Sequence, residues 1–170
     1  VKNVRRAALD ILMRMEKEQG EGYSNRLIDS AISKNSFESA DRALLSRLVS
    51  GVTERRITLD YIISKFSKSP LSKLDSDALC LLRMGIYQLR YLDRIPRHAA
   101  VNETVALAPR RARGFVNAIL RSFARRNKSL PPPDATLFPV RHLSVVHSVG
   151  EALVREFLEC FGFARTDAIL

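Results

Sequence analysis

LCLLRMGIYQLRYLDRIPRHAAVNETVALA, residues Leu79 to Ala108, is the stretch whose reading decides the fold. Leu79, Leu82, Ile86 and Leu89 recur at spacings of three and four, which puts them on one face of a helix. Leu81, Met84 and Leu92 widen that face until it can touch several neighbours, so this helix belongs in the middle of a bundle. Gly85 lies inside it, where glycine costs about 1 kcal/mol relative to alanine. Close approach of a second helix accounts for its presence. Arg94-Ile95-Pro96 breaks the helix, because the residue before a proline is driven out of helical geometry. His98 to Ala108 reads as the next helix, with Ala99, Asn102, Val105 and Ala106 near one face.

Toward the N-terminus, Lys2 to Glu18 reads as a helix. Val4, Ala8, Ile11, Leu12 and Met15 form its stripe, Arg5, Arg6 and Arg14 stand off it, and Gly20 and Gly22 stop it. Ser24 is a candidate N-cap for a second helix through Leu27, Ile28, Ala31 and Ile32, ended by Asn35-Ser36. Ser39 can cap a third, with Leu44, Leu45, Leu48, Val49 and Val52 inward. Asp41 near its start is stabilised by the backbone N–H groups there, a better account than a catalytic acid partnered by Arg42. Thr58 to Phe66 is a short fourth helix, Ser67 to Lys73 a polar connection, and Asp75 or Ser76 caps the central helix.

Beyond Ala108, Pro109 ends one helix, Arg110-Arg111-Ala112-Arg113-Gly114 reads as a basic turn, and Phe115 to Arg126 is the last helix of the bundle. Phe115, Ala118, Ile119, Ser122 and Phe123 share a face there. No acidic residue occurs between Thr104 and Asp134, whereas Arg110, Arg111, Arg113, Arg121, Arg125, Arg126 and Lys128 all do. Arg121 and Arg125, four apart, lie on the same side and repel each other, a cost that a polyphosphate would remove. The net charge of +10 and pI near 10.2 likewise favour a polyanionic partner. Few aromatics accompany the arginines, so contact should be mainly to backbone and shape. Pro131-Pro132-Pro133 makes a boundary or a stiff strap. Leu137 to Val146 is ambiguous. Glu151 to Phe161 is an amphipathic helix with Leu153, Val154, Phe157, Leu158 and Phe161 inward and Gly162 as its stop, and Thr166 begins another.

Catalytic chemistry has no signature. The chain holds neither a GxGxxG nor a GxxxxGK[ST] motif. His98, His142 and His147 are scattered, and Cys80 and Cys160 have no paired spacing, so no metal site is expected and both cysteines read as reduced core thiols. Cys80 lies in an apolar helix, where desolvation raises a thiol's pKa. Asn102, near an apolar helix face, must find hydrogen-bond partners if it is buried. No apolar run spans a bilayer and no signal-peptide pattern opens the chain, which points to the cytoplasm.

Three pieces, LLRMGIYQL, RIPRHAAVNETVALA and GFVNAILR, stand in an order and at gaps that resemble the NusB-like RNA-binding domain. More narrowly they resemble the form fused to the Sun/Fmu (RsmB-type) 16S rRNA cytosine-5 methyltransferases. ADRALLSRLVSGVTERR matches a further segment, in which Gly51 allows close packing. The resemblance runs from Val4 to Asn127 and more weakly onward. Val149, Gly150 and Ala152 depart from it, standing where a His-Pro pair and a tryptophan are usual.

The resemblance implies an all-α, NusB-like helical bundle over residues 1–128, a Pro-rich linker over 129–136, and a helical lead-in over 137–170 to a methyltransferase domain absent from this chain. It also puts RNA-meeting basic residues in the first helix, at Arg5 and Arg6, and sets Asn102, Glu103 and Asn117 in facing helices, where hydrogen bonding between helices is expected. Arg5, Arg6, Arg110, Arg111, Arg113, Arg121 and Arg125 are therefore the expected RNA-binding residues, with no catalytic residue and no cofactor in this chain. S-adenosylmethionine belongs to the absent domain, and 16S rRNA is the implied partner. Two other functions fit the residues: a free-standing NusB-type antitermination factor, against which the Pro strap and the helices after it speak, and a structural module whose arginines meet acidic protein, the missing domain included.

Overall fold

The computed structural model describes residues 3–18, 24–126 and 130–170. Gly20, Gly22, Asn127, Lys128 and Ser129 lie outside the described residues. Seven helices form the bundle: α1 (Val4–Glu18), α2 (Ser24–Asn35), α3 (Ser39–Glu54), α4 (Arg56–Phe66), α5 (Ser76–Tyr91), α6 (Arg97–Ala106) and α7 (Arg110–Arg125). Two more, α8 (Pro139–His147) and α9 (Glu151–Ile169), form the appendage. No strand occurs among the described residues, as an all-α reading requires.

The central position of α5 follows from its breadth of apolar surface. Every residue from Ala78 through Leu89 is buried, and α1, α3, α4, α6 and α7 all pack on it. A Cβ on Gly85 would come 2.7 Å from both terminal methyls of Leu120 in α7, and one on Gly51 would run into the phenol of Tyr87. Each glycine therefore gives its place to a neighbour's side chain.

Two buried residues of α5 are polar, and both are fully engaged. Arg83 donates to Asp60 of α4 through Nε (2.7 Å) and Nη2 (2.9 Å), and to Glu16 of α1 through Nη1 (2.9 Å). Arg56 adds a 3.2 Å contact to the other oxygen of Glu16. Burial alone would lower the pKa of Arg83, but the hydrogen bond and charge of Asp60 and the charge of Glu16 outweigh it and raise it. Gln88 donates to the Met84 carbonyl (3.2 Å) and to Thr104 Oγ1 of α6 (3.0 Å), and its Oε1 accepts from Arg5 Nε of α1 (2.8 Å).

Several boundaries and faces differ from expectation. α7 starts at Arg110, with Pro109 as N-cap, so the run Arg110–Gly114 is the helix's first turns rather than a separate basic turn. Its buried face is Ala112, Val116, Ile119, Leu120 and Phe123, while Ala118 is exposed. In α6 the inner face is Ala100, Val101 and Thr104; Asn102 and Ala106 point to solvent. The Thr104–Gln88 hydrogen bond turns a polar position inward, which apolar spacing alone does not show. Ser39 is the first helical residue of α3, after Glu38, and Asp75 precedes α5 with no side-chain cap at either.

The 130–138 strap leads into α8, which docks on α4. Thr58 Oγ1 donates to the Val145 carbonyl (2.6 Å), the Ile57 amide donates to Ser148 Oγ (3.1 Å), and the Tyr61 hydroxyl donates to the Pro131 carbonyl (3.1 Å). α9 packs on α8 and is broken at Gly162 (φ 71°), where a second helical piece begins. Of its expected inner residues only Val154 is buried; Phe157 and Leu158 are half-buried, and Leu153 and Phe161 are exposed.

Two substitutions test this packing by urea unfolding. Gly51→Ala forces the Tyr87 ring aside and should lower stability by about 1–3 kcal/mol, the usual cost of overpacking. Arg83→Met should cost about 3–5 kcal/mol, because it leaves Asp60 and Glu16 without their shared partner.

Candidate nucleic-acid interface

The polarity of the helices decides where the arginines fall. Arg5 meets Gln88 and Glu16 meets Arg83, so α1 runs antiparallel to α5. Arg111 meets Asp77, and Leu120 lies against Gly85, so α7 runs parallel to α5. Asn102 meets Arg121 and Arg97 donates to the Ala124 carbonyl, so α6 and α7 form an antiparallel pair. The start of α1, the ends of α5 and α7 and the start of α6 therefore share one end of the bundle.

Arg5, Arg6, Arg121 and Arg125 stand at that end. Arg110, Arg111 and Arg113 stand at the other, about 15 Å away for the ten residues from Arg111 to Arg121. Along α7, Arg110, Arg121 and Arg125 fall on the side opposite the buried face, and all three are exposed.

Their surroundings differ. Arg110 and Arg125 make no hydrogen bond or ion pair among the described residues, so their five N–H donors each remain available. Arg121 is oriented by two acceptors, Asn117 Oδ1 on its own helix (2.8 Å from Nε) and Asn102 Oδ1 on α6 (3.4 Å from Nη2). The expected hydrogen bonding of Asn102 and Asn117 between helices thus runs through an arginine. Arg5 is anchored through Nε alone. Arg6 lies 3.3 Å from Asp10, an exposed pair of little strength. It also lines an open groove of about 520 Å³ between α1 and α2, with Arg14 and Lys34.

At the far end, Arg111 contacts Asp75 (3.2 Å) and Asp77 (3.0 Å), although its side chain is 69% exposed. Arg113 donates to the Ala108 carbonyl (3.2 Å), closing the turn between α6 and α7. These two are partly committed to structure.

The structure adds residues that the sequence reading did not assign. Arg55, at the α3–α4 junction, and Arg90, near the end of α5, lie 5.9 and 5.7 Å from the ring centre of Tyr91. Arg97 joins the same end through α6. The signal was present in the sequence as arginines around the break after Tyr91, but only the folded bundle puts Arg55 beside them.

Other candidate chemistry is absent from the described residues. No group of three or more His, Cys, Asp and Glu could hold a metal. His147 Nε2 lies 2.8 Å from Asp167 Oδ1, and His142 Nδ1 lies 2.7 Å from the Pro133 carbonyl; both tie the appendage together. Cys80 is buried, and its burial pushes the thiol up to about 11 against the pull of Arg83. Cys160 is exposed, contrary to the expectation of two core thiols, because it lies on the uncovered side of α9. No described helix is long and apolar enough to cross a membrane.

Residues 2–125 match the NusB family, and within them lie an all-helical bundle around the central α5 and the arginine-rich α7. The chain belongs to that family. It is similar to the protein named Probable ribosomal RNA small subunit methyltransferase B of Bacillus subtilis (strain 168), with 37% identity over 171 residues, covering 98% of this chain and 37% of that protein. The similarly named protein of Synechocystis sp. is 28% identical over 95% of this chain and 36% of its own length. Ribosomal RNA small subunit methyltransferase B of Shigella flexneri is 38% identical over 66% of this chain and 26% of its own length. The chain thus spans little more than a third of the relatives it matches most fully.

Thiol titration at pH 8 checks the electrostatics of the core. Cys160 should react at once with an aromatic disulfide reagent, whereas Cys80, with a pKa near 11, should react only after unfolding. Two fast thiols in the folded protein would contradict the burial of Cys80.

Proposed function

We propose that this chain is an RNA-binding domain that holds ribosomal RNA, in the small subunit, for cytosine-5 methylation by a catalytic domain lying outside it. The observation that carries the reading is the outer face of α7. Arg110, Arg121 and Arg125 stand there exposed, in a window without a single acid. Guanidinium groups suit phosphate because their planar forks donate in pairs. The similarity to a methyltransferase B over 98% of the chain includes α8 and α9, which lie beyond the NusB match. That favours this reading over a free-standing antitermination factor.

In this reading S-adenosylmethionine belongs to the catalytic domain outside this chain. The described part offers no strand leading through a glycine-rich turn into a helix, so no step of methyl transfer is assigned to it. Its work in this reading is to bind and orient. The anchored Arg5 and Arg121 fix direction, and the unpaired Arg110 and Arg125 add phosphate contacts.

Fluorescence anisotropy with a single-stranded fragment of small-subunit ribosomal RNA tests this. Affinity should fall with salt, and the joint variant Arg121→Ala, Arg125→Ala should make the log–log slope shallower by about 1.4, at about 0.7 per lost phosphate contact. Arg111→Ala should change it less, since Asp75 and Asp77 already engage that side chain. If Arg110→Ala, Arg111→Ala, Arg113→Ala and the joint variant all leave the affinity unchanged, the arginines serve a protein contact instead.

A further inference from the structure

The end of the bundle that gathers Arg5, Arg6, Arg121 and Arg125 also holds a feature that phosphate binding does not require. Tyr87 and Tyr91, the two tyrosines of α5, lie together there with ring centres 5.2 Å apart and planes tilted by 35°. Tyr87 is buried, with the charges of Arg47 and Glu54 of α3 near it. Tyr91, one turn further out, is half-buried, as are Arg55 and Arg90 against its ring. Gly51 leaves the space that the Tyr87 phenol fills, so the inner tyrosine is held from behind and the outer one is held by it.

This stack is close to the anchored Arg5. Gln88, which accepts from Arg5, follows Tyr87 directly and precedes Tyr91 by less than one helical turn. A turn advances the helix by about 5.4 Å, so the outer ring and the Arg5 anchor lie at neighbouring levels of the same helix. Unpaired bases stack on aromatic rings and on guanidinium planes alike, whereas bases inside a duplex are not available for it.

We propose that Tyr91, with Arg55 and Arg90 on its ring, is a stacking platform for one unpaired base of a single-stranded RNA segment whose phosphates lie on Arg5 and Arg6. The inference rests on the RNA-binding reading and adds to it a preference for single strands and a site off α7. Acids in this region, Glu54 on α3 and Asp93 after α5, keep the platform from being a purely electrostatic sink. A phosphate chain alone would gain little there, which is why the ring is the element that matters.

The test compares single-stranded and duplex RNA of the same sequence on the 170-residue chain, again by anisotropy over a salt series. Tyr91→Leu should weaken single-strand binding by about 5- to 150-fold, the loss that follows from removing one stacked base. Its salt slope should stay unchanged, because stacking releases no counterions, and duplex binding should not move. Tyr91→Phe should bind as the parent does. Equal single-strand affinity in Tyr91→Leu and the parent, or a loss of the same size on duplex, overturns the platform while leaving the RNA-binding reading intact. No RNA binding by the unsubstituted protein overturns both. Should Tyr91→Leu fail to fold by circular dichroism, photo-crosslinking of a 4-thiouridine single strand to the unsubstituted protein decides the matter. Crosslinks should fall in the tryptic peptide Tyr91–Arg94, and crosslinks confined to other peptides would overturn the proposal.

Discussion

One buried guanidinium organises this molecule. Arg83 lies in the middle of α5, 4% exposed, among leucines that would by themselves exclude a charge. Moving a lone ion of that size out of water costs several kcal/mol even after relaxation. The cost is met because Asp60 and Glu16 approach from two different helices and engage both edges of the fork. The network therefore does more than neutralise a charge. It sets the rotation of α5 against α1 and α4, since a helix turned by one residue would carry Arg83 about 100° away from both acids. Apolar contacts alone tolerate such slips; a bidentate pair does not.

With α5 fixed in rotation, the surface follows. Gln88 is brought to the seam between α1 and α6, where it accepts from Arg5 and donates to Thr104. Gly85 faces α7 and admits Leu120, which draws α7 close and turns its opposite side outward. The arginines of α7 are on that outward side because Ala112, Val116, Ile119, Leu120 and Phe123 are on the inward one. The antiparallel run of α1 and the parallel run of α7 then bring their arginine-bearing ends level. Charge that is spread along the sequence is gathered by helix direction.

Much of this was legible in the chain itself. The breadth of the apolar face from Leu79 to Leu92 marked α5 as central, and Gly85 marked the close approach of a partner helix. The faces of α1, α3 and α4 followed from spacing. What spacing could not show was any position where polar groups satisfy each other inside. Thr104 and Gln88 look like surface residues until they are paired, so apolar spacing alone points to the wrong inner face of α6. Arg83 looks like an interruption of an apolar run until Asp60 and Glu16 arrive from residues 23 and 67 positions away. A proline after an apolar run marks a stop, but its fixed φ also suits a helix start; Pro109 follows α6 and precedes α7, so Arg110–Gly114 is helical rather than a turn. α9 showed the converse limit. Its pattern is amphipathic, but a pattern cannot say whether a neighbour is there to receive it, and Leu153 and Phe161 face solvent.

The unpaired arginines of α7 connect stability to recognition. Like charges one turn apart cost a few tenths of a kcal/mol per pair, while full burial of a side chain such as Leu120 contributes about 1.5–3 kcal/mol. A helix that buries five apolar residues can therefore hold several unpaired cations with stability to spare. Holding them on a rigid helix also reduces what binding must supply. A flexible basic tail would lose backbone freedom for every phosphate it met, whereas these groups lose side-chain freedom alone. Arg121, already oriented by Asn102 and Asn117, has less of that left to lose, and Arg5 least of all. The packing of the core and the readiness of the surface are thus one property: the contacts that fix α5 also fix where, and how firmly, its neighbours present their charge.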